Sequence, residues 1–198
     1  MKKLLLLLTC LYWNCQDGAA QSGIYKGIGT VVFEAGVPLS LIKGTSEAAK
    51  GTIDLESGKF RFDVPITSFR FLNSLMHERF NDKYMQSHRF QKATFTGQII
   101  EKKPSGTNGE TKVTAVGLLT IHGVSKKRTI TGLITQDAGS NWQLASDFAV
   151  ELEDHHIKVP QLSSGYGANT MQVSLQMPLK PVGSAVPQIA DAKKLSLK

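Results

Sequence analysis

Five histidines are the side chains of this 198-residue chain best suited to proton or metal chemistry near neutral pH, and their spacing argues against both. His77-Glu78 opens the H-E-x-x-H pattern of a zinc-protease helix, but the closing position is Asn81, so the second metal ligand is missing. His155 and His156 are adjacent, and in extended chain adjacent side chains point to opposite sides and cannot share one metal. His88 and His122 stand singly in turn-like settings. Ser163-Ser164-Gly165 lacks the strand–turn–helix context of a G-x-S-x-G nucleophile elbow, and no G-x-x-x-x-G-K-[ST] phosphate loop occurs. The only thiols, Cys10 and Cys15, lie in the first 20 residues. The sequence is therefore read as that of a non-enzyme without metal or cofactor, whose function is carried by an apolar surface.

Met1 to Ala20 reads as a secretory signal. Lys2 and Lys3 supply the positive start, Leu4 to Leu11 the apolar run, and Gly18-Ala19-Ala20 a small-residue cleavage site. Cleavage there leaves Gln21 first and removes both cysteines, so no disulfide framework is available to the mature chain. Two alternatives are an uncleaved segment, for which the run is too short, and a lipoprotein anchored through Cys10. Leu7-Leu8-Thr9-Cys10 resembles a lipobox, although threonine before the cysteine is atypical. The net charge of +7 favours anionic partners and allows transient contact with a membrane surface. Nucleic acid is excluded as a partner because the basic residues are scattered, with Lys126-Lys127-Arg128 the only run of three, and because the chain carries an export signal.

The elements that must position an apolar site are mostly strands. Lys59 to Ile66 alternates cleanly, with Phe60, Phe62, Val64 and Ile66 on one face and Lys59, Arg61 and Asp63 on the other. Thr111 to Ile121, Trp142 to Leu152 and Thr170 to Leu179 repeat the pattern. Further strands are expected over Ile24–Glu34, Leu39–Thr45, Gly51–Glu56, Ala93–Lys102 and Lys126–Thr135. Ser57-Gly58, Asn108-Gly109 and Ala138-Gly139-Ser140 supply turns. Between the fourth and fifth of these strands, Leu72, Leu75, Met76, Phe80 and Tyr84 recur at helical spacing over about Leu75–Met85, with Asn73 or Ser74 as the cap. The expected fold is mainly β: an antiparallel eight- or nine-stranded barrel over residues 21–180 with one short inserted helix, then a flexible tail over 181–198.

Several inward positions are small: Gly97, Ala115, Gly117, Gly132 and Ser146. They either leave room for a ligand or relieve bends at barrel corners. If they leave room, the wall is expected to carry Phe60, Phe62, Phe69, Phe95, Trp142, Phe148 and Met171. The helix is expected to close one opening with Leu75, Met76, Phe80 and Tyr84 facing inward. A barrel with a filled core, acting as a structural or interaction module, is the alternative.

Four longer blocks stand out: Leu75-Met76-x-x-x-Phe80-Asn81-x-x-Tyr84-Met85, then Phe90-Gln91-Lys92-Ala93-Thr94-Phe95-x-Gly97, then Gly117-x-Leu119-Thr120-Ile121-x-Gly123-Val124-x-Lys126, and finally Phe148-x-Val150 with Asp154-His155-x-Ile157. In these blocks the chain resembles the YceI-like family of exported bacterial proteins. Gln91 stands where that family usually has proline, and the first strand lacks its Trp-x-Ile-Asp opening. The resemblance implies an extended lipocalin-like barrel in the periplasm or outside the cell, holding an isoprenoid-type or other long-chain lipid.

Overall fold

Alternation sets the inside and outside of each strand, and the hydrogen-bonded register closes the strands on themselves. The computed structural model describes residues 23–37, 40–101, 110–136, 141–158 and 169–182. The signal segment with Cys10, the turns at Asn108-Gly109 and Ala138-Gly139-Ser140, Ser163-Ser164-Gly165 and residues 183–198 lie outside the described residues. Eight antiparallel strands pair each with the next: β1 (Ile24–Val37), β2 (Ser40–Asp54), β3 (Lys59–Pro65), β4 (Lys92–Ile99), β5 (Glu110–Ile121), β6 (Val124–Gln136), β7 (Trp142–Glu151) and β8 (Thr170–Pro181). β8 pairs back onto β1, so the barrel is closed and has no free edge.

The second and third expected strands are one continuous strand, β2, which places the helix between the third and fourth strands and fixes the count at eight. A bulge hid this. Gly29 pairs with Ala49 but Val31 pairs with Ser46, so β2 spends an extra residue there and its period of two is interrupted. Ser46 and Ala49, three apart, are both buried, and the Ser46 hydroxyl is satisfied by the Ser68 hydroxyl at 2.6 Å. Asn73 caps the inserted helix α1 (Ser74–Arg79), its Oδ1 accepting from the Leu75 N–H at 2.8 Å. The helix does not run on regularly to Met85. Residues Phe80–Tyr84 form a π-turn, with the Met85 N–H donating to the Phe80 carbonyl at 2.8 Å.

At one end of the barrel Trp142 meets Tyr25 edge-to-face at 5.5 Å, beside its strand partner Leu179, and Leu179 and Met177 are fully buried. The outer faces are mostly polar, as in the Arg61 guanidinium that grips the Asp63 carboxylate through two 2.7 Å hydrogen bonds, with Ile28 and Leu118 among the exposed exceptions.

Candidate binding cavity

The barrel interior holds a cavity of about 180 Å³. Every strand contributes, because each turns one apolar face inward. Val31 and Phe33 come from β1, Ala49 and Ile53 from β2, Phe60 and Phe62 from β3, Phe95 from β4, Ala115 and Leu119 from β5, Gly132 from β6, Phe148 from β7, and Met171 and Val173 from β8. No charged side chain and no histidine lies on the wall among the described residues. Its hydroxyl residues are Thr94, Thr131 and Ser146, and the Ser146 hydroxyl is spent on the Thr131 carbonyl at 2.7 Å. Such a wall has nothing to offer a charged or strongly polar group, whose burial without partners is costly.

Seven of the eleven residues expected at this site lie on the wall: Phe60, Phe62, Phe69, Phe80, Phe95, Phe148 and Met171. Four do not. Trp142 is in phase with the inward residues but sits against Tyr25 at one end of the barrel, off the cavity wall. Leu75 is 49% exposed, and Met76 and Tyr84 are half-buried off the wall. The π-turn explains the last of these: its extra residue changes the phase, so Met85 follows Phe80 inward where a regular helix would have turned in Tyr84. Phe80 stacks on Phe33 with centroids 5.3 Å apart and an interplanar angle of 20°, and packs against Phe69 and Phe71 at 5.6 and 4.9 Å. The helix thus reaches the cavity through its C-terminal end only.

The inward small residues divide into two groups. Ala115, Gly132 and Ser146 lie on the wall and make space. Gly97 and Gly117 do not: they pair across β4 and β5 where the two backbones almost touch, the situation expected of glycines at a sharply coiled corner.

Sequence reasoning missed Val31 and Phe33, although they alternate in phase with Tyr25, and it missed Met85, Leu152 and Ile157. Leu152 and Ile157 flank a single 3₁₀ turn, Glu153–His155, which has no periodicity to read. Two imidazoles clip that turn to the β5–β6 hairpin. The His155 Nδ1–H donates to the Val124 carbonyl at 3.0 Å, and the His122 Nδ1–H to the His155 carbonyl at 3.2 Å. His155 is 1% exposed, and burial pushes its pKa below the ordinary 6.5, against the opposing pull of the Val124 carbonyl and Asp154. A depressed folded-state pKa means that the unfolded chain binds the proton more readily. This contribution to stability is therefore complete above about pH 6.5 and is lost as pH falls through the folded-state pKa. Urea midpoints measured from pH 7.5 down to 5 should fall for the native protein and fall less for His155→Gln. Parallel curves for the two proteins would refute this account of His155.

The Asn81 amide donates to the His77 carbonyl at 3.0 Å, so the residue that breaks the H-E-x-x-H pattern serves the helix. Among the described residues no three His, Cys, Asp or Glu side chains converge as they would around a metal.

This barrel matches known proteins along most of its length. Residues 26–180 match the family model described as the YceI-like domain. A polyisoprenoid binding domain from Saccharophagus degradans, implicated in plant cell wall breakdown, superposes with a TM-score of 0.69 at 12% identity, covering 80% of this chain and 98% of that one. BcnA of Burkholderia cenocepacia gives a TM-score of 0.61 at 16% identity, covering 77% and 95%. The YceI protein of Campylobacter jejuni gives 0.56 at 16% identity, covering 72% and 86%. No curated protein sequence matches the chain. With the family model spanning all eight strands, the chain belongs to the YceI-like family.

Proposed function

We propose that the barrel interior holds the apolar chain of an isoprenoid-type or other long-chain lipid. The carrying observation is the wall itself: an interior surface built from all eight strands, rich in phenylalanine and free of charge. Each Å² of apolar ligand surface removed from water contributes roughly 25 cal/mol, so a chain of a dozen or more carbons gains enough to bind without a polar anchor. A charged headgroup has no partner inside and stays at the mouth. The similar fold of the polyisoprenoid binding domain supports an isoprenoid as the first ligand to test.

Native mass spectrometry of protein purified from its own cells should show a defined added mass that organic extraction removes. Gly132→Leu provides the control. A Cβ there meets the Ala145 carbonyl oxygen at 3.1 Å and Leu144 Cδ1 at 3.4 Å, a fit that needs only slight adjustment, and the rest of the new side chain projects into the cavity. Lipid affinity should fall by about a hundredfold, which corresponds to about 2.7 kcal/mol, with the unfolding midpoint little changed. Unchanged lipid uptake by a folded Gly132→Leu protein would place the ligand elsewhere.

The same reading puts the protein in the periplasm or outside the cell after cleavage behind Ala20. Mass analysis of the exported protein should then find Gln21 at its start. An acylated Cys10 would replace this with a membrane-anchored lipoprotein.

A further inference from the structure

The segment joining β3 to β4 faces two ways. Inward, Phe69, Phe80 and Met85 form part of the cavity wall. Outward, Leu72 is fully exposed at the bend before α1, and Leu75 is half exposed on the first turn of the helix. The same segment carries four exposed cations. Arg70 lies two residues before Leu72, Arg79 one helical turn beyond Leu75, and Lys83 and Arg89 follow. Glu78 and Asp82 are the exposed anions of the same segment, so positive charge is in excess. The ion pairs among the described residues belong to the strands and to Asp154; Arg70, Arg79 and Lys83 take part in none.

Exposed leucines flanked along the chain by cations outside the ion pairs suit one kind of surface, a bilayer with anionic headgroups. Leucine side chains enter the boundary between headgroups and acyl chains, while the cations remain level with the phosphates. A second copy of the chain fits poorly. The patch would set cation against cation, and two leucines are far less than the roughly 800 Å² per partner of a stable interface.

We propose that the Arg70–Lys83 segment docks the barrel on an anionic lipid surface, with Leu72 and Leu75 inserted and Arg70, Arg79 and Lys83 on the headgroups. This names the partner from which the cavity would draw its ligand, and for that purpose it rests on the lipid-binding reading. The geometry is direct: the docked residues and the wall residues Phe69 and Phe80 belong to one short stretch of chain, so the membrane is brought to the cavity's side of the molecule.

Flotation tests this with the exported, lipid-extracted protein and two kinds of vesicle, phosphatidylcholine alone and phosphatidylcholine with about 30 mol% phosphatidylglycerol. Binding should require phosphatidylglycerol and weaken with salt. Leu72→Ser with Leu75→Ser should lower it at least tenfold, and Arg70→Gln with Arg79→Gln and Lys83→Gln should remove the preference for the anionic lipid. Ile28→Ser with Leu118→Ser removes two exposed apolar groups from the strands and should change binding less than twofold. All of these positions are exposed, so matched circular dichroism spectra and urea midpoints are expected. Absence of vesicle binding, equal binding to both vesicles, or equal loss in the Ile28/Leu118 pair would overturn the proposal. So would a concentration-dependent dimer that the Leu72/Leu75 pair abolishes. Gly132→Leu keeps the docking surface while filling the cavity. It should bind vesicles normally, which separates failure of docking from failure of the lipid-binding reading.

Discussion

Gly97→Val should leave no cooperatively folded domain. Gly97 of β4 pairs with Gly117 of β5, and a Cβ on Gly97 would overlap the Val116 carbonyl oxygen while lying 2.5 Å from the Gly117 Cα. The obstructing atoms are backbone of the neighbouring strand, so no rotamer change relieves them; the two strands would have to separate in a barrel closed by hydrogen bonds on both sides. The expected loss exceeds about 4 kcal/mol, a large part of the 5–15 kcal/mol that holds a typical domain. Gly132→Ala, whose new methyl meets nothing closer than 3.1 Å, should stay within about 1 kcal/mol of the parent. Urea denaturation followed by tryptophan fluorescence measures both. A Gly97→Val protein that unfolds cooperatively near the parental midpoint would mean that β4 and β5 can part there at little cost.

Phe80→Ala should cost about 3–5 kcal/mol and should also weaken lipid binding. Phe80 is the centre of an aromatic group made by Phe33, Phe69 and Phe71, and it is the helix's contribution to the cavity wall. Removing the ring opens a hole in the wall and loosens the only end of α1 that is buried. Stability and binding are separated by comparison with Val173→Ala, a smaller truncation on the same wall. For each kcal/mol of stability lost, lipid affinity should fall further for Phe80 than for Val173. Equal ratios from paired denaturation and binding titrations would reduce the helix to ordinary cover for the core.

What could be read in the sequence was direction; what could not was position along the barrel axis and local phase. Phe60, Phe62, Phe95, Phe148 and Met171 were legible because uninterrupted alternation assigns a face to every residue of a strand. Trp142 obeys the same alternation, yet it lies off the wall at the Tyr25 end, since a period of two says nothing about height. β2 looked like two strands because one extra residue at its bulge shifts the buried positions from Ser46 to Ala49. Tyr84 was assigned inward for a similar reason: one extra residue in the π-turn hands the position to Met85. Small inward residues were the least informative. Gly132 and Gly117 look alike in sequence, yet a Cβ on the first meets nothing closer than 3.1 Å on the cavity wall, whereas one on the second would overlap the Thr96 backbone.

Trp142, Tyr25, Met177 and Leu179 lie off the cavity wall and fill the barrel at the end where β7 and β1 begin and β8 finishes. On the lipid-binding proposal that end would act as a floor. A chain standing on a floor would enter tail first and leave by the same route, so one occupant would have to depart before the next was loaded. Chains shorter than the cavity would leave space unfilled and longer ones would protrude, and affinity across a series of chain lengths would then show an optimum.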